Sequence, residues 1–343
     1  MVSFIIRRLI LALFTTIAVS FVAFVVTQLP AGDYVDYLAE NCPIMDCHLG
    51  TGVEDFSTRG GRDLARERLG LNDPFIVQYW NWIYPIAFTF DFGMSARPGG
   101  VWQSANVMLM EVTPPTIYLT FFTILITWSL AIPIGIYSAV RQHSVGDYVF
   151  TFLGFTGLAV PDFLLALVVM YLLFAYFEVS VGALHSSTYE LAPWSIGKVI
   201  DMLQHLLIPA AVLGTAGTAA LIRIMRNNLL DELSKPYVVT AQAKGLSTWK
   251  LVIKYPVRLA INPFVSGIGF ILPTLISGSV ILSVVMGLPT LGLLLYGAIK
   301  GQNVWLAADV ILILGILTVI GTLISDLLLM VVDPRIKLSG NET

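Results

Sequence analysis

The largest group of lysine and arginine side chains between two apolar runs of this 343-residue chain lies between Arg223 and Pro263. Seven of the 19 lysines and arginines fall in this segment, and they are Arg223, Arg226, Lys235, Lys244, Lys250, Lys254 and Arg258. Long apolar runs flank it on both sides, so its chemistry is that of a charged surface beside a membrane. Because lysine and arginine are retained on the cytoplasmic side of membrane proteins, the segment is expected on that side.

Two short helices are predicted within this basic segment. Pro236 suits the first turn of a helix, because its missing N–H is harmless there. The pattern after it runs to Gly245, which is typical of a helix stop, and a second helix is predicted from Ser247. From the residues alone, the segment is either an ordinary solvated basic loop or a surface that another protein grips.

The sequence YVVTAQAKGLSTWKLVIKYPVRLAINP resembles the cytoplasmic "EAA" loop of binding-protein-dependent ABC importer permeases. The matching residues are Tyr237, Thr240, Ala241, Ala243, Lys244, Gly245, Leu246, Arg258 and Pro263. Val239 stands where the broader superfamily has glutamate, a departure shared with much of the peptide-importer branch. The resemblance implies that residues 236–258, with Lys250 among them, couple the chain to ATPase subunits.

Composition indicates an integral membrane protein. The chain is 57% hydrophobic and 12% charged, with a mean hydropathy of +0.82. A soluble domain carries roughly twice that charged fraction, so extensive contact with membrane lipid is expected. The net charge of -3 and the absence of a basic–aromatic pattern argue against nucleic acid as a partner.

Six membrane-spanning helices are predicted from the apolar runs. They are Leu9–Leu29, Ile117–Val140, Val149–Phe177, Leu206–Leu221, Phe264–Met286 and Val310–Val332. The first is too long for the apolar region of a signal peptide, and no cleavage site follows it. The distribution of lysine and arginine places both termini inside. The predicted class is an all-α polytopic membrane protein, N-in and C-in, which the resemblance identifies with the type I ABC importer permease fold.

Four regions follow from these spans. They are an N-terminal transmembrane helix at 1–29, an extracytoplasmic loop with short helices at 30–115, a five-helix permease core at 116–335 that contains the cytoplasmic loop 223–263, and a tail at 336–343. The resemblance covers nearly the whole chain. The cytoplasmic loop and the DPRI sequence near the C-terminus are its most specific parts.

The long outer loop carries two features of interest. Its aromatic helix, around Tyr79 and Trp82, is expected either at the level of the lipid headgroups or packed inside the loop. Cys42 and Cys47 suit either a disulfide or two free thiols in a bacterial periplasm. With His48 they make an incomplete metal site.

Acidic residues within predicted spans are costly and therefore mark candidate functional positions. Asp162 follows Pro161 at a predicted kink and is the candidate residue of a translocation pathway, with a structural role as the alternative. Asp309 begins the predicted last span and is expected at the membrane interface.

Catalytic motifs are missing from the sequence. There is no G-x-x-x-x-G-K-[ST] phosphate-binding pattern, no HExxH pattern and no nucleophile elbow, so no catalytic residue, cofactor or metal is predicted in this chain. The resemblance implies that ATP and Mg²⁺ bind two ABC ATPase subunits. It also implies a second homologous permease subunit and an extracytoplasmic solute-binding protein as partners.

The predicted function is that of a non-enzymatic permease subunit in the bacterial cytoplasmic (inner) membrane. By resemblance, it forms half of the translocation pathway of an ATP-driven importer for dipeptides or oligopeptides. Other solutes of the same branch, namely oligosaccharides, opines or nickel chelates, remain alternatives. An ion-coupled secondary transporter is a further alternative, although such proteins usually carry paired buried acids and internal repeats.

Overall fold

The structure is a computed structural model that describes residues 2–29, 33, 35–36, 58–96, 102–178, 181–190 and 192–332. Helices dominate these residues. The N-terminal part contains helix α1 (Val2–Thr27), helix α2 (Arg59–Arg68) and helix α3 (Phe75–Thr89). Strands β1 (Met94–Ala96) and β2 (Trp102–Ser104) follow and pair antiparallel, with Met94 opposite Ser104. Apart from this short ribbon the described elements are helices, in agreement with the predicted all-α class.

The rest of the described chain is helical. Its elements are α4 (Ala105–Val140), α5 (Val145–Ala159), α6 (Asp162–Phe177), α7 (Ile196–Leu233), α8 (Pro236–Ala243), α9 (Thr248–Lys254), α10 (Pro256–Ala260), α11 (Asn262–Met286), α12 (Leu291–Lys300) and α13 (Val304–Val332). Among the described residues, the four helices α1, α4, α7 and α13 are each long and apolar enough to cross a membrane. Counting each bent pair as one span raises the number to six.

The predicted span Val149–Phe177 is divided into two helices at the kink that was predicted at Pro161. Helices α5 and α6 meet at an angle of 102°, with Val160 and Pro161 at the break. Proline disfavours helical geometry in the residue before it, and Val160 is accordingly extended, with ψ at 124°. Helix α12 follows α11 as a separate helix that hydropathy did not indicate.

Helix α7 is the largest departure in length. The predicted span Leu206–Leu221 is the shortest of the six, yet α7 contains 38 residues. It begins after Ser195, whose side chain accepts a hydrogen bond from the Lys198 amide. Hydropathy marks only the apolar middle of a helix, so it predicts loops where the charged ends of α7 lie. The same effect places the start of α4 at Ala105, inside the predicted loop 30–115.

The chain divides into two compact units. The first consists mainly of Ile117–Leu288 together with the end of α13 from Ile320. One of its buried clusters includes Met225, Leu229 and Phe264. Close packing of α4 on α7 depends on Gly135, because a Cβ there would lie 2.5 Å from the Cβ of Met225.

The second unit contains Arg7–Thr116 and Pro289–Val319. Its aromatic cluster joins α1, α3 and α13. Phe24 is fully buried and stacks on Trp82, with the ring centroids 5.3 Å apart. Trp80 lies on the opposite side of α3 and is exposed. The aromatic helix of the outer loop therefore has a packed face and an exposed aromatic face.

Candidate functional site

The basic segment predicted to contact a partner forms three short helices, α8, α9 and α10. Helix α8 starts at Pro236, after Lys235 in extended geometry, and it ends at Ala243. Helix α9 starts at Thr248, with Ser247 as its preceding residue. The predicted helix start at Pro236 and the second helix from Ser247 are thus confirmed.

The turn between α8 and α9 depends on Gly245. Its φ angle is +76°, in the left-handed region that side chains other than glycine rarely adopt. A Cβ at this position would meet no heavy atom within 4 Å, and the residue is exposed. Glycine is therefore required by the backbone angle, while the space around it stays open to a partner.

The inner side of this segment is fixed by apolar burial. Val238 of α8 and Val252 of α9 pack in one cluster with Met225 and Leu229 of α7. Val252 is 1% exposed and Leu229 is fully buried. Burying one such side chain contributes about 1.5–3 kcal/mol to stability. This burial fixes α8 and α9 against the end of α7.

A polar contact fixes the start of α8. The hydroxyl of Tyr237 donates to Glu232 Oε2 across 2.6 Å, and Lys235 Nζ lies 2.7 Å from the other oxygen of the same carboxylate. Glu232 belongs to the last turn of α7. Tyr237 is therefore a positioning residue, half-buried against the chain itself.

The outer side of the segment is exposed, and most of the predicted coupling residues lie there. Those exposed are Thr240, Ala243, Lys244, Gly245, Lys250 and Arg258, whereas Tyr237, Ala241 and Leu246 are half-buried against the apolar cluster. Three large apolar side chains share this exposure: Val239 at 60%, Trp249 at 52% and Ile253 at 60%. We call Val239, Lys244, Trp249, Lys250 and Ile253 the docking surface.

Sequence reasoning missed the apolar half of the docking surface. Val239, Trp249 and Ile253 look like core residues in a hydrophobic chain, and only the structure shows that they are exposed. Exposed apolar side chains mixed with cations are typical of a protein-contact surface.

Several cations of the basic segment contact the chain itself. Arg223 and Arg226 lie within α7, so they are not part of the predicted loop. The Arg226 guanidinium makes two hydrogen bonds of 3.0 Å to the carboxylate of Asp147. Arg258 donates to the carbonyl oxygens of Val331 and Val332 at the end of α13.

The remaining predicted site residues lie on other parts of the chain. Asp162 is the first residue of α6, directly after the bend at Pro161, and is partly buried. A carboxylate at this end of a helix is favoured by the helix dipole, which supplies a structural reason for it. Cys42 and Cys47, the DPRI sequence and the tail 336–343 lie outside the described residues. Among the described residues, no group of three or more His, Cys, Asp or Glu side chains is arranged to hold a metal.

Comparisons with known proteins show which family this chain resembles. The model of the family described as "Binding-protein-dependent transport system inner membrane component" matches residues 131–338, which include α8, α9 and α10. The chain is 31% identical to the oligopeptide transport system permease protein AppB of Bacillus subtilis, over 98% of this chain and 100% of that one.

Two further relatives are similar over equal lengths. A putative peptide permease protein of Brucella ovis is 30% identical, over 99% of this chain and 100% of its own. The dipeptide transport system permease protein DppB of Escherichia coli strain K12 is 27% identical, over 98% of this chain and 99% of its own.

Proposed function

This chain belongs to the family of binding-protein-dependent transport system inner membrane components, and we propose that it is the permease subunit of an ATP-driven peptide importer. In this proposal the chain forms half of the translocation pathway, and a second homologous permease subunit forms the other half. Two ABC ATPase subunits bind the cytoplasmic side, where they hold ATP and Mg²⁺. A solute-binding protein delivers the substrate from outside.

The observation that carries the proposal is the two-sided construction of α8 and α9. One side is locked to α7 by the burial of Val238 and Val252, while the other presents the docking surface. A force applied to the docking surface by a moving partner would therefore reach α7 without being lost in a flexible loop. Because Arg258 also contacts the end of α13, the same displacement would reach the last helix.

The proposed topology has six spans with both termini in the cytoplasm. It counts the α5–α6 pair as one span and the end of α11 with α12 as another, which is the upper count that length and composition allow. The docking surface then lies in the cytoplasm, as the positive-inside rule requires for a short loop rich in lysine. A docking surface outside the cell would contradict this part of the proposal.

Peptides are the proposed substrates because the relatives named above are an oligopeptide permease, a dipeptide permease and a putative peptide permease. Another solute carried by the same mechanism is the alternative. Much of the selectivity would lie in the solute-binding protein. The ligand bound by that protein after purification decides between peptides and the other solutes.

The proposal is tested by reconstituting the importer in liposomes and measuring uptake of labelled peptide with and without internal ATP. A single cysteine at Lys250, in a chain whose Cys42 and Cys47 are replaced by serine, should form a crosslink to an ATPase subunit. A cysteine at Ile196, exposed at the start of α7, serves as the control and should not. Uptake that survives ATP depletion but collapses with an uncoupler would instead indicate an ion-coupled transporter.

A further inference from the structure

A cavity of about 410 Å³ lies between α5 and α7 in the first compact unit, and no residue of the docking surface lines it. Its polar rim is formed by His143, Tyr148, Thr151, Arg223 and Asn227. The proposed coupling function uses none of these residues. The cavity therefore calls for a separate explanation.

The charges at this cavity do not cancel. Both oxygens of the Asp147 carboxylate accept hydrogen bonds from Arg226, and one of them also accepts the backbone N–H of His143. Asp147 is buried, and its charge is neutralised by Arg226 in the lining of the cavity. Arg223 is left as the uncompensated cation among the residues that line it.

The guanidinium of Arg223 is held in position by an aromatic ring. Its Cζ atom lies 4.5 Å from the centroid of the Phe155 ring, which is a cation–π distance. Stacking on a ring leaves the in-plane N–H groups of an arginine directed outward, where they suit two oxygens of a phosphate. The hydroxyls of Tyr148 and Thr151 and the amide of Asn227 supply further hydrogen-bonding groups on the same rim.

The surface beside this rim is apolar. Phe152 and Leu153 of α5 are 70% and 57% exposed. Within the lining, Gly154 of α5 faces Ala219 of α7, and Phe150, Phe155 and Ile222 are also apolar. A ligand that fits has an anionic head and a hydrocarbon tail. A free phosphate ion would leave most of this apolar lining unused.

We propose that this cavity binds an anionic phospholipid, with its phosphodiester on Arg223 and an acyl chain along the exposed side of α5. The Asp147–Arg226 pair then acts as a neutral wall that fixes the end of α5 against α7. This lipid site goes beyond the proposed transport function and does not depend on the nature of the transported solute.

The test compares lipid retention by the purified importer. The complex is extracted from bilayers of phosphatidylethanolamine and phosphatidylglycerol with matched acyl chains, and the retained lipids are counted by native mass spectrometry. Arg223→Gln should lower phosphatidylglycerol retention by about tenfold, the loss expected for one charge-assisted phosphate contact. Arg223→Lys should lower it less, because the positive charge remains.

The matched control is Arg141→Gln. Arg141 is an exposed arginine near the same end of α5, but it does not line the cavity. This variant should retain as much phosphatidylglycerol as the wild type. Equal retention by Arg223→Gln and the wild type would overturn the proposal. So would equal retention of both lipids by the wild type, or displacement of the lipid by inorganic phosphate.

A second measurement covers the case in which Arg223→Gln does not assemble. A phosphatidylglycerol with a photoreactive diazirine in its acyl chain is incorporated into membranes that contain the wild-type importer. After illumination, the label should appear in peptides that cover residues 145–158 or 215–227. Label found only elsewhere, or a cavity shown by crosslinking to be covered by the second permease subunit, would contradict the lipid site.

Discussion

Arg258 Nε lies 3.0 Å from the carbonyl oxygen of Val332, at the end of the last described helix. A second contact joins its Nη2 to the carbonyl oxygen of Val331 at 3.4 Å. The last carbonyls of a helix have no partner within it, and a cation there also complements the negative end of the helix dipole. Arg258 is therefore a positioning residue between the basic segment and α13.

Replacing Arg258 by glutamine should weaken this link. We expect Arg258→Gln to lower the free energy of unfolding by about 1 kcal/mol, since the contact is charge-assisted but exposed to solvent. Arg258→Lys should recover part of the loss, because it keeps the charge but not the two-pronged geometry. Denaturant or thermal unfolding of the purified importer measures the difference. If both variants are as stable as the wild type, the contact of Arg258 with α13 does not contribute to the free energy of unfolding.

Gly245 permits a sharper test of the docking surface. Gly245→Asp adds a negative charge to an exposed cationic turn, and Gly245→Asn adds a side chain of the same shape without charge. Both residues tolerate a positive φ better than other side chains do, so their backbone strain is similar. We expect the amount of peptide transported per ATP hydrolysed to fall roughly tenfold further in Gly245→Asp than in Gly245→Asn. The reason is that one misplaced charge at a protein interface costs about 1.4 kcal/mol or more.

The measurement for Gly245 is the ratio of peptide transported to ATP hydrolysed in liposomes. Membrane insertion, checked by protease protection, should be the same for both variants. Normal coupling in Gly245→Asp would remove the role assigned to this turn. Equal loss in both variants would attribute the effect to backbone strain rather than charge.

The short helices of the basic segment could be predicted because their start and stop depend on single residues. Pro236 and Gly245 act through their own backbone geometry, which does not depend on distant residues. The helix start and the turn at these positions therefore followed from sequence alone. The side of the segment that faces a partner was harder to predict, because the exposure of Val239 and Ile253 depends on where α7 lies.

Tertiary contacts explain most of what could not be predicted. Hydropathy follows the apolar middle of a helix. It therefore does not predict the charged ends of α7, which carry Lys198 and Arg226. The break at Pro161 had a local signal, but its angle of 102° did not. The sequence did not predict the burial of Asp309: the residue is fully buried, and Trp82 from a distant part of the sequence donates a hydrogen bond to it.

The Trp82–Asp309 contact gives the next prediction. The indole N–H of Trp82 lies 2.8 Å from Asp309 Oδ1, whereas Oδ2 has no hydrogen-bond partner among the described residues. Trp82→Phe would remove the one donor that the described structure gives to this carboxyl group. We expect a loss of about 1–3 kcal/mol in the free energy of unfolding, the cost of leaving a buried polar group unsatisfied.

The double variant Trp82→Phe with Asp309→Leu separates the hydrogen bond from simple packing. Replacing both partners by apolar groups should cost less than the sum of the single changes. Trp80→Phe is the matched control, because Trp80 lies on the exposed side of the same helix. Additive losses in the double variant would show that the two residues do not act together.

His185 supplies a prediction about pH. It lies between α6 and α7, outside the membrane-spanning segments, and its side chain is 10% exposed. Its Nδ1 atom has no hydrogen-bond partner among the described residues and lies 3.5 Å from Asp201 Oδ2. Burial, with the nearby charge of Lys198, holds the pKa of His185 below its usual value, although Asp201 opposes the shift and His205 adds slightly to it.

A lowered pKa fixes the sign of the effect. The unfolded chain binds a proton at His185 near pH 6.5, while the folded chain does so only at lower pH. Stability should therefore fall as the pH drops below about 6.5, and level off once the folded form is protonated as well.

Unfolding midpoints of the purified importer between about pH 8 and about pH 5 measure this dependence. His185→Gln should flatten the curve in this window. Parallel curves for the wild type and His185→Gln would show that another group controls the response, and the flanking Asp201 and His205 would be the next to replace.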